Sequence, residues 1–532
     1  MAIRLTTKGG SAFSLPLAIL FALLSSGCGG GGNHPPVAGA PPPQTPPFNT
    51  AEGEGNLVGT PSVLTYATAT SSAQTGLDAF YSQTVCPSEL SSADCSTNQA
   101  SLNTAQFGNF NLNANPIANN SLGIQQVDAV KVDYTAINID LSPVTVSGGI
   151  AIPQLAPAKI KGLILYFHGT TTQRTNVPSS FAAINPNSTY TDGTLLAAVW
   201  ASQGYVVVMP DYIGLGDDTT HAHPYVVYPG QNAQSGLAMV LAARTLLAKS
   251  YQVTSSLPLF ITGYSEGGAY ALEAGHLMQN NSGYASQLNV QLKRVAPMSG
   301  FFDLSGTGLT YLFYNISASD NPWHSLDWQT SELSKPFLTA YLVLSFAQYA
   351  GIPPTDMLNS TFYTTNYVCL DTLSDNLSEI YFTDTQFPSY DAAVLAAADC
   401  QASGTGWSSG PTNYSNAINP LLTPTYAIAL MQKNTQNVLY EQVAQSDTYR
   451  FAPNFPVTLI SLSEDSVVTR VNSDVAFAYF TAQNPGGTYQ ELLIPNSSFF
   501  ALDLAGYGTA VDHTTEVPFL SVLALNQFNS SQ

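Results

Sequence analysis

The stretch Gly263-Tyr264-Ser265-Glu266-Gly267-Gly268 follows the apolar run Leu259–Thr262 and opens a helical pattern over Glu266–Met278. A serine hydroxyl is a weak nucleophile. It attacks an acyl carbon only when an imidazole takes its proton and a carboxylate holds that imidazole. Glycines two before and two after the serine fit a strand-to-helix turn too sharp for a Cβ at those positions. At the start of a helix, free N–H groups and the helix dipole favour a developing oxyanion. The chemistry offered by these spacings is acyl transfer.

When a nucleophile sits on such a strand–turn–helix, the acid and then the histidine follow it along the chain. Of the seven histidines, His276, His324 and His513 come after Ser265, and His276 falls inside the helical pattern that the serine turn opens. His324 lies ahead of the next strand, whereas His513 sits just before the helix-like Phe519–Phe528, so His513 is assigned as the base. The apolar run Val457–Leu462 leads into Ser463-Glu464-Asp465-Ser466-Val467-Val468. Asp465 is assigned as the acid that orients the histidine; Glu464, Asp503 and Asp512 are the alternatives. Two backbone N–H groups are needed for the oxyanion, each worth roughly 3–4 kcal/mol in the transition state. Glu266 supplies one, its side chain turned away from the forming charge. Thr170, in His168-Gly169-Thr170 after the run Leu163–Phe167, supplies the other, with His168 as a brace for the loop.

The elements that must carry these residues alternate. Val127–Val132 and Thr145–Ile152 read as an antiparallel pair. Then come the apolar runs Leu163–Phe167, Tyr205–Met209, Leu259–Thr262, Val295–Met298 and Val457–Leu462, separated by helical patterns such as Leu195–Trp200 and Ala233–Ala248. Strands apolar throughout are covered by helices on both faces. This is the pattern of a doubly wound, mostly parallel α/β sheet. The interval 306–455 breaks the rhythm and is too long for a featureless loop. It reads as an inserted helical cap with helices over Phe337–Tyr349, Asp391–Ala398 and Ala427–Gln445. The core is therefore 57–305 and 456–532, with 57–125 the part whose elements are hardest to read. The cap's apolar run Phe337–Phe346 suits either an acyl pocket or plain packing of the cap.

With these residues in view the chain resembles the α/β-hydrolase superfamily, and within it the secretory lipases that include fungal lipase A-type enzymes. Phe167-His168-Gly169-Thr170 is similar to that family's oxyanion segment. Pro210-Asp211-Tyr212-Ile213-Gly214-Leu215-Gly216-Asp217, followed by His223-Pro224-Tyr225, is similar to its run after the next strand. The resemblance spans about residues 127–530 except the cap. It implies hydrolysis of carboxylic esters under a helical cap covering an acyl pocket; no cofactor is expected, and no His or Cys pair has the short spacing of a zinc site. Asp217, His221 and His223 would brace the loop or line the site.

Composition bounds the rest. With 532 residues the chain suffices for about three domains, or for one large domain with a substantial insertion. Hydrophobic residues make up 45%, which excludes global disorder. Only 9% are charged, against ~25% in an ordinary soluble domain. There are 34 acids and 14 bases, net −20, so no basic face exists to neutralise nucleic acid. Residues 1–28 read as an export signal that resembles a bacterial lipoprotein's, with Arg4 and Lys8, a short apolar stretch, then Ser25-Ser26-Gly27 before Cys28 as the lipidation site. Ser25 departs from the leucine usual there. Residues 29–56 form a Gly/Pro-rich linker. Of the three connectivities open to the other four cysteines, proximity favours Cys86–Cys95 and Cys369–Cys400, in keeping with an oxidising compartment. The expectation is a monomeric exported esterase or lipase, touching the membrane through its lipid anchor only and taking small-molecule or lipid esters. A serine peptidase of the same superfamily and a non-catalytic surface-binding protein are the alternatives.

Overall fold

Each apolar run of the alternating pattern falls within a strand. In this computed structural model the strands are β1 (Leu57–Ala67), β2 (Gln126–Ile137), β3 (Pro143–Pro153), β4 (Gly162–Phe167) and β5 (Tyr205–Pro210). They continue as β6 (Leu257–Tyr264), β7 (Val290–Met298), β8 (Val457–Leu462) and β9 (Tyr489–Ile494). The structure describes residues 48–67, 122–181, 200–309, 328–357, 422–494 and 513–532, apart from single positions within those stretches, together with Gly193 and Leu196.

The described strands form one sheet in the order β1-β2-β3-β5-β4-β6-β7-β8-β9. β1, β2, β3 and β5 pair antiparallel; from β5 to β9 every pairing is parallel. The chain lays down β4, steps back outside it for β5, and then crosses to β6 on the other side. Strand order therefore reverses beside β4, and it is outside the carboxyl ends of strands at such a reversal that α/β sheets place their sites.

Two layers of helix explain why β4, β5 and β8 are buried along their whole length. Leu163, Leu165 and Phe167 of β4 join a cluster with Leu237 and Val240 of α1 (Pro229–Ser250) and with Tyr270 and Leu272 of α2 (Glu266–Asn280). Ile164 and Tyr166, pointing the opposite way, join Trp200 and, from the last helix, Leu520 and Phe528. Trp200 stacks edge-on against Tyr166 and against Phe528, and its Nε1 donates to the Ser521 carbonyl at 3.1 Å. Burying one such side chain contributes roughly 1.5–3 kcal/mol. These contacts hold the C-terminal helix, and the residues just ahead of it, against the sheet.

The described part of the insertion packs into a third apolar cluster, which it shares with Tyr225, Val227, Phe301 and Val468 of the core. α3 (Trp328–Ala350) buries Leu338, Tyr341, Leu342, Val343, Leu344 and Phe346 in it, beside residues of two shorter helices, α4 (Pro424–Met431) and α5 (Val438–Gln445). The pattern that reads as one helix over Ala427–Gln445 is thus two. Lys433 takes a left-handed φ of 52°, and Asn437 caps α5 by accepting from Leu439 N and Tyr440 N. A side-chain cap at that point starts a new helix rather than continuing the old one. At its neck the insertion is pinned. Asp447 accepts from Ser305 N (2.8 Å), Ser305 Oγ (2.6 Å) and Arg450 Nη2 (2.7 Å); Thr448 N donates to Phe302 O at 3.0 Å.

Among the described elements, β1, β9 and α6 (Val471–Gln483) have no counterpart in the sequence pattern. β1 and β9 are the sheet's edges, and β9 is only half-buried along most of its length, so neither carries the continuous apolar signal of the central strands. With α7 (Val517–Asn529) the described elements that position the site are complete. No helix among the described residues is long and apolar enough to cross a membrane. The Asp391–Ala398 pattern, the residues of the export signal, Cys28, and the cysteines Cys86, Cys95, Cys369 and Cys400 lie outside the described residues, as do His324, Glu464, Asp503 and Asp512.

Candidate active site

Ser265 sits between β6 and α2 with φ 56° and ψ −118°, a conformation side chains rarely adopt. The glycines flanking it are required by contact. A Cβ on Gly263 would lie 2.1 Å from the carbonyl oxygen of Gly267, and one on Gly267 would lie 2.1 Å from that of Phe167. β6 therefore turns into α2 while touching the end of β4. Ser265 N donates to the Met298 carbonyl of β7 at 2.9 Å, fixing the turn from the other side.

His513 and Asp465 reach this point from later in the chain. His513 Nε2 is 2.8 Å from Ser265 Oγ, and its Nδ1 is 2.8 Å from Asp465 Oδ2. Asp465 follows β8, the second strand over from β6 in the parallel sheet. Its other oxygen, Oδ1, accepts from Val467 N at 2.9 Å and Val468 N at 2.8 Å, so the x-Val-Val sequence after it serves to hold the carboxylate. The Tyr264 ring stacks on the His513 ring at 5.0 Å, and its hydroxyl donates to the His513 carbonyl. All three polar residues are buried, Asp465 to 1% exposure. Burial pushes the His513 imidazole down, but the Asp465 carboxylate and the nearby Glu516 carboxyl outweigh it and raise the ring to about 10.

Thr170 lies three residues past the end of β4 and Glu266 is the first residue of α2. Because β4 and β6 are neighbours, both backbone N–H groups belong to loops that abut. A Cβ on Gly169 would lie 2.9 Å from the Tyr264 ring. The Glu266 side chain is turned into the protein. Its Oε1 meets His223 Nε2 at 2.5 Å and accepts from Tyr270 Oη at 2.7 Å. His223 Nδ1 meets the Ile213 carbonyl at 3.0 Å. The rings of His168, Tyr212 and His223 stack in series at 4.1 and 5.3 Å, and Tyr212 Oη donates to the His168 carbonyl at 2.7 Å. The segment picked out by its resemblance to lipase A-type sequences thus ties the β4 loop to the first residue of α2. Asp217 instead faces outward in an ion pair with Lys131, and His221 pairs with Asp218.

α3 of the insertion rests on this segment. Tyr341 stacks on Tyr225 at 4.2 Å and donates to the Thr171 carbonyl at 3.1 Å. Ser345 Oγ donates to the His223 carbonyl and accepts from Tyr225 N, both at 2.9 Å. The apolar run Phe337–Phe346 is spent on packing where its side chains are described.

Sequence reasoning missed Glu516, which is fully buried with Oε1 3.4 Å from His513 Nδ1. Its one signal is a glutamate three residues after the assigned histidine, at the head of a helix.

A mostly parallel sheet with reversed strand order, and a serine on a strained turn at its carboxyl edge, define the α/β-hydrolase fold. Two solved structures share this fold. The chain is similar to the rice cell wall degrading esterase LipA from Xanthomonas oryzae at 18% identity and TM-score 0.58, over 90% of this chain and 100% of that one. It is similar to a protein of Legionella pneumophila, provisionally assigned as a hydrolase, at 20% identity and TM-score 0.57, over 89% and 97%. Candida antarctica lipase A matches at 16% identity and TM-score 0.44, over 76% and 86%. No protein-family model and no curated protein matches the sequence.

Proposed function

We propose that the chain is a serine carboxylic ester hydrolase, an esterase or lipase, working outside the cytoplasm through an acyl-enzyme on Ser265. The observation that carries this reading is the unbroken line of hydrogen bonds Ser265–His513–Asp465, held at the carboxyl edge of the sheet. In the reaction Ser265 Oγ attacks the ester carbonyl carbon while His513 Nε2 takes its proton. Asp465 keeps Nδ1–H pointed away from the serine and stabilises the imidazolium. The N–H groups of Thr170 and Glu266 receive the oxyanion. As the tetrahedral intermediate collapses, the alkoxide leaves with the proton from His513. A water then loses a proton to His513, attacks the acyl carbon and frees the acid.

The fold shared with an esterase supports the ester reading. The acidic composition, the export signal and the cysteine usage support a place outside the cytoplasm, with Cys28 as a lipid attachment point. The test is hydrolysis of p-nitrophenyl esters of graded acyl length by the wild type and by Ser265→Ala. The expected outcome is a loss of at least ~10³-fold in kcat on every ester. Activity unchanged by the substitution removes the nucleophile and with it the proposal. A peptide-amide substrate assayed in parallel separates ester from amide hydrolysis.

A further inference from the structure

Glu516 is the buried titratable group that the reaction above leaves unused. It is 0% exposed, and neither of its carboxyl oxygens has a hydrogen-bond partner among the described residues. Its Oε1 lies 3.4 Å from His513 Nδ1, the nitrogen that Asp465 Oδ2 meets at 2.8 Å. One ligating atom from each of Asp465, His513 and Glu516 falls within 4.8 Å of the other two. The imidazole is thus faced by Asp465 from the loop after β8, by Ser265 and Tyr264 from the end of β6, and by Glu516 from the head of α7. Ser299, just past β7, faces the Glu516 carboxyl. Burying a carboxyl with no donor is costly. A fold that places this one against the imidazole, where an apolar residue would pack more cheaply, is holding it for a purpose.

We propose that Glu516 is a second acid for His513: a positioning residue that acts through Nδ1 and takes over the imidazole when Asp465 is lost. This rests on the Ser265–His513–Asp465 reading above. Burial, and then the charge of Asp465, push Glu516 up to about 8. At neutral pH it therefore carries a proton and leaves Asp465 as the single charged partner of the ring. When the aspartate's charge is removed, the cause of that repulsion goes with it. Glu516 then gives its proton to solvent, and its carboxylate accepts the hydrogen bond from Nδ1–H after a movement of well under an ångström.

The experiment is a double-mutant cycle on ester hydrolysis, with kcat and KM followed against pH in the wild type, Asp465→Ala, Glu516→Gln and the double variant. In serine hydrolases losing the orienting acid alone costs about 10⁴-fold in kcat. Here Asp465→Ala loses less than that, roughly 10²-fold, and the double variant falls by about a further 10²-fold. Asp465→Ala acquires an acidic limb in its pH profile from ionisation of Glu516, which the double variant lacks. Losses that multiply independently, with unshifted profiles, overturn the proposal and leave Glu516 a packing residue. If Asp465→Ala does not fold, Asp465→Asn replaces it in the same cycle with the same expectations. Ser265→Ala keeps the two ideas apart: if it stays active the triad reading fails, whereas an inactive Ser265→Ala with an additive cycle sinks only the role of Glu516.

Discussion

The φ of 56° at Ser265 costs about 1–3 kcal/mol, and the packing of the flanking strands offsets it. The other strained residues of the site are strained electrostatically. Both Glu516 and His513 hold protons more tightly in the folded protein than their ordinary values of 4.5 and 6.5, reaching about 8 and about 10. The stability they contribute is present below those ordinary values and is lost as pH rises through the folded ones. The melting temperature is therefore expected to fall most steeply between pH 6.5 and 8, where both groups contribute, and Glu516→Gln to flatten the fall there. Melting curves that rise over this window contradict it. These residues differ in how far the sequence betrays them. The glycines beside Ser265 are legible because the constraint is local: Gly263, Gly267 and the carbonyl oxygens that forbid a Cβ there lie at the ends of two adjacent strands. Asp465 and His513 are legible for a different reason. Chain order and the small number of histidines narrow the choice, and the N–H groups of Val467 and Val468 explain the residues that follow the acid. Glu516 is not legible, because a lone glutamate before a helix looks like an ordinary helix-terminus residue.

Among elements, what matters for the site is how they grip one another. The pair His223–Glu266 joins the segment after β5 to the first turn of α2, with both side chains no more than 2% exposed. Breaking a buried pair by removing one partner typically costs about 3–5 kcal/mol. His223→Phe is therefore expected to lower unfolding stability by that order. It should also reduce kcat more than it raises KM, since the loop carrying Thr170 is stacked on His223 through Tyr212 and His168. Denaturant titration and steady-state kinetics check both; equal stability in the variant shows the pair to be idle. Such grips leave little trace in a sequence, whereas the central strands leave a plain one. Burial on both faces writes a continuous apolar run, which is why Val457–Leu462 coincides with β8 to the residue. Edge strands carry no such run, and α4 and α5 run together in the pattern because no glycine or proline separates Met431 from Val438.

The whole molecule is an acidic, charge-poor chain whose fold class is legible from the alternation of runs. The net charge of −20 gives no purchase on anionic surfaces, so a stable association with membrane needs the covalent lipid proposed at Cys28. In a bacterial host, labelled palmitate is expected in the full chain and absent from Cys28→Ser; label that persists in the variant refutes the anchor.

The pin at the base of the insertion carries a last consequence. Ser305 and Asp447 are 142 positions apart in sequence yet share two hydrogen bonds, so the detour leaves the sheet and returns to it at almost the same spot. To β7 and β8 the excursion is a closed loop, and closing a longer or shorter one changes the entropy only slowly with length. Residues between Ser305 and Asp447 can therefore be gained, lost or exchanged while the strands that lead into Ser265 and Asp465 stay as they are.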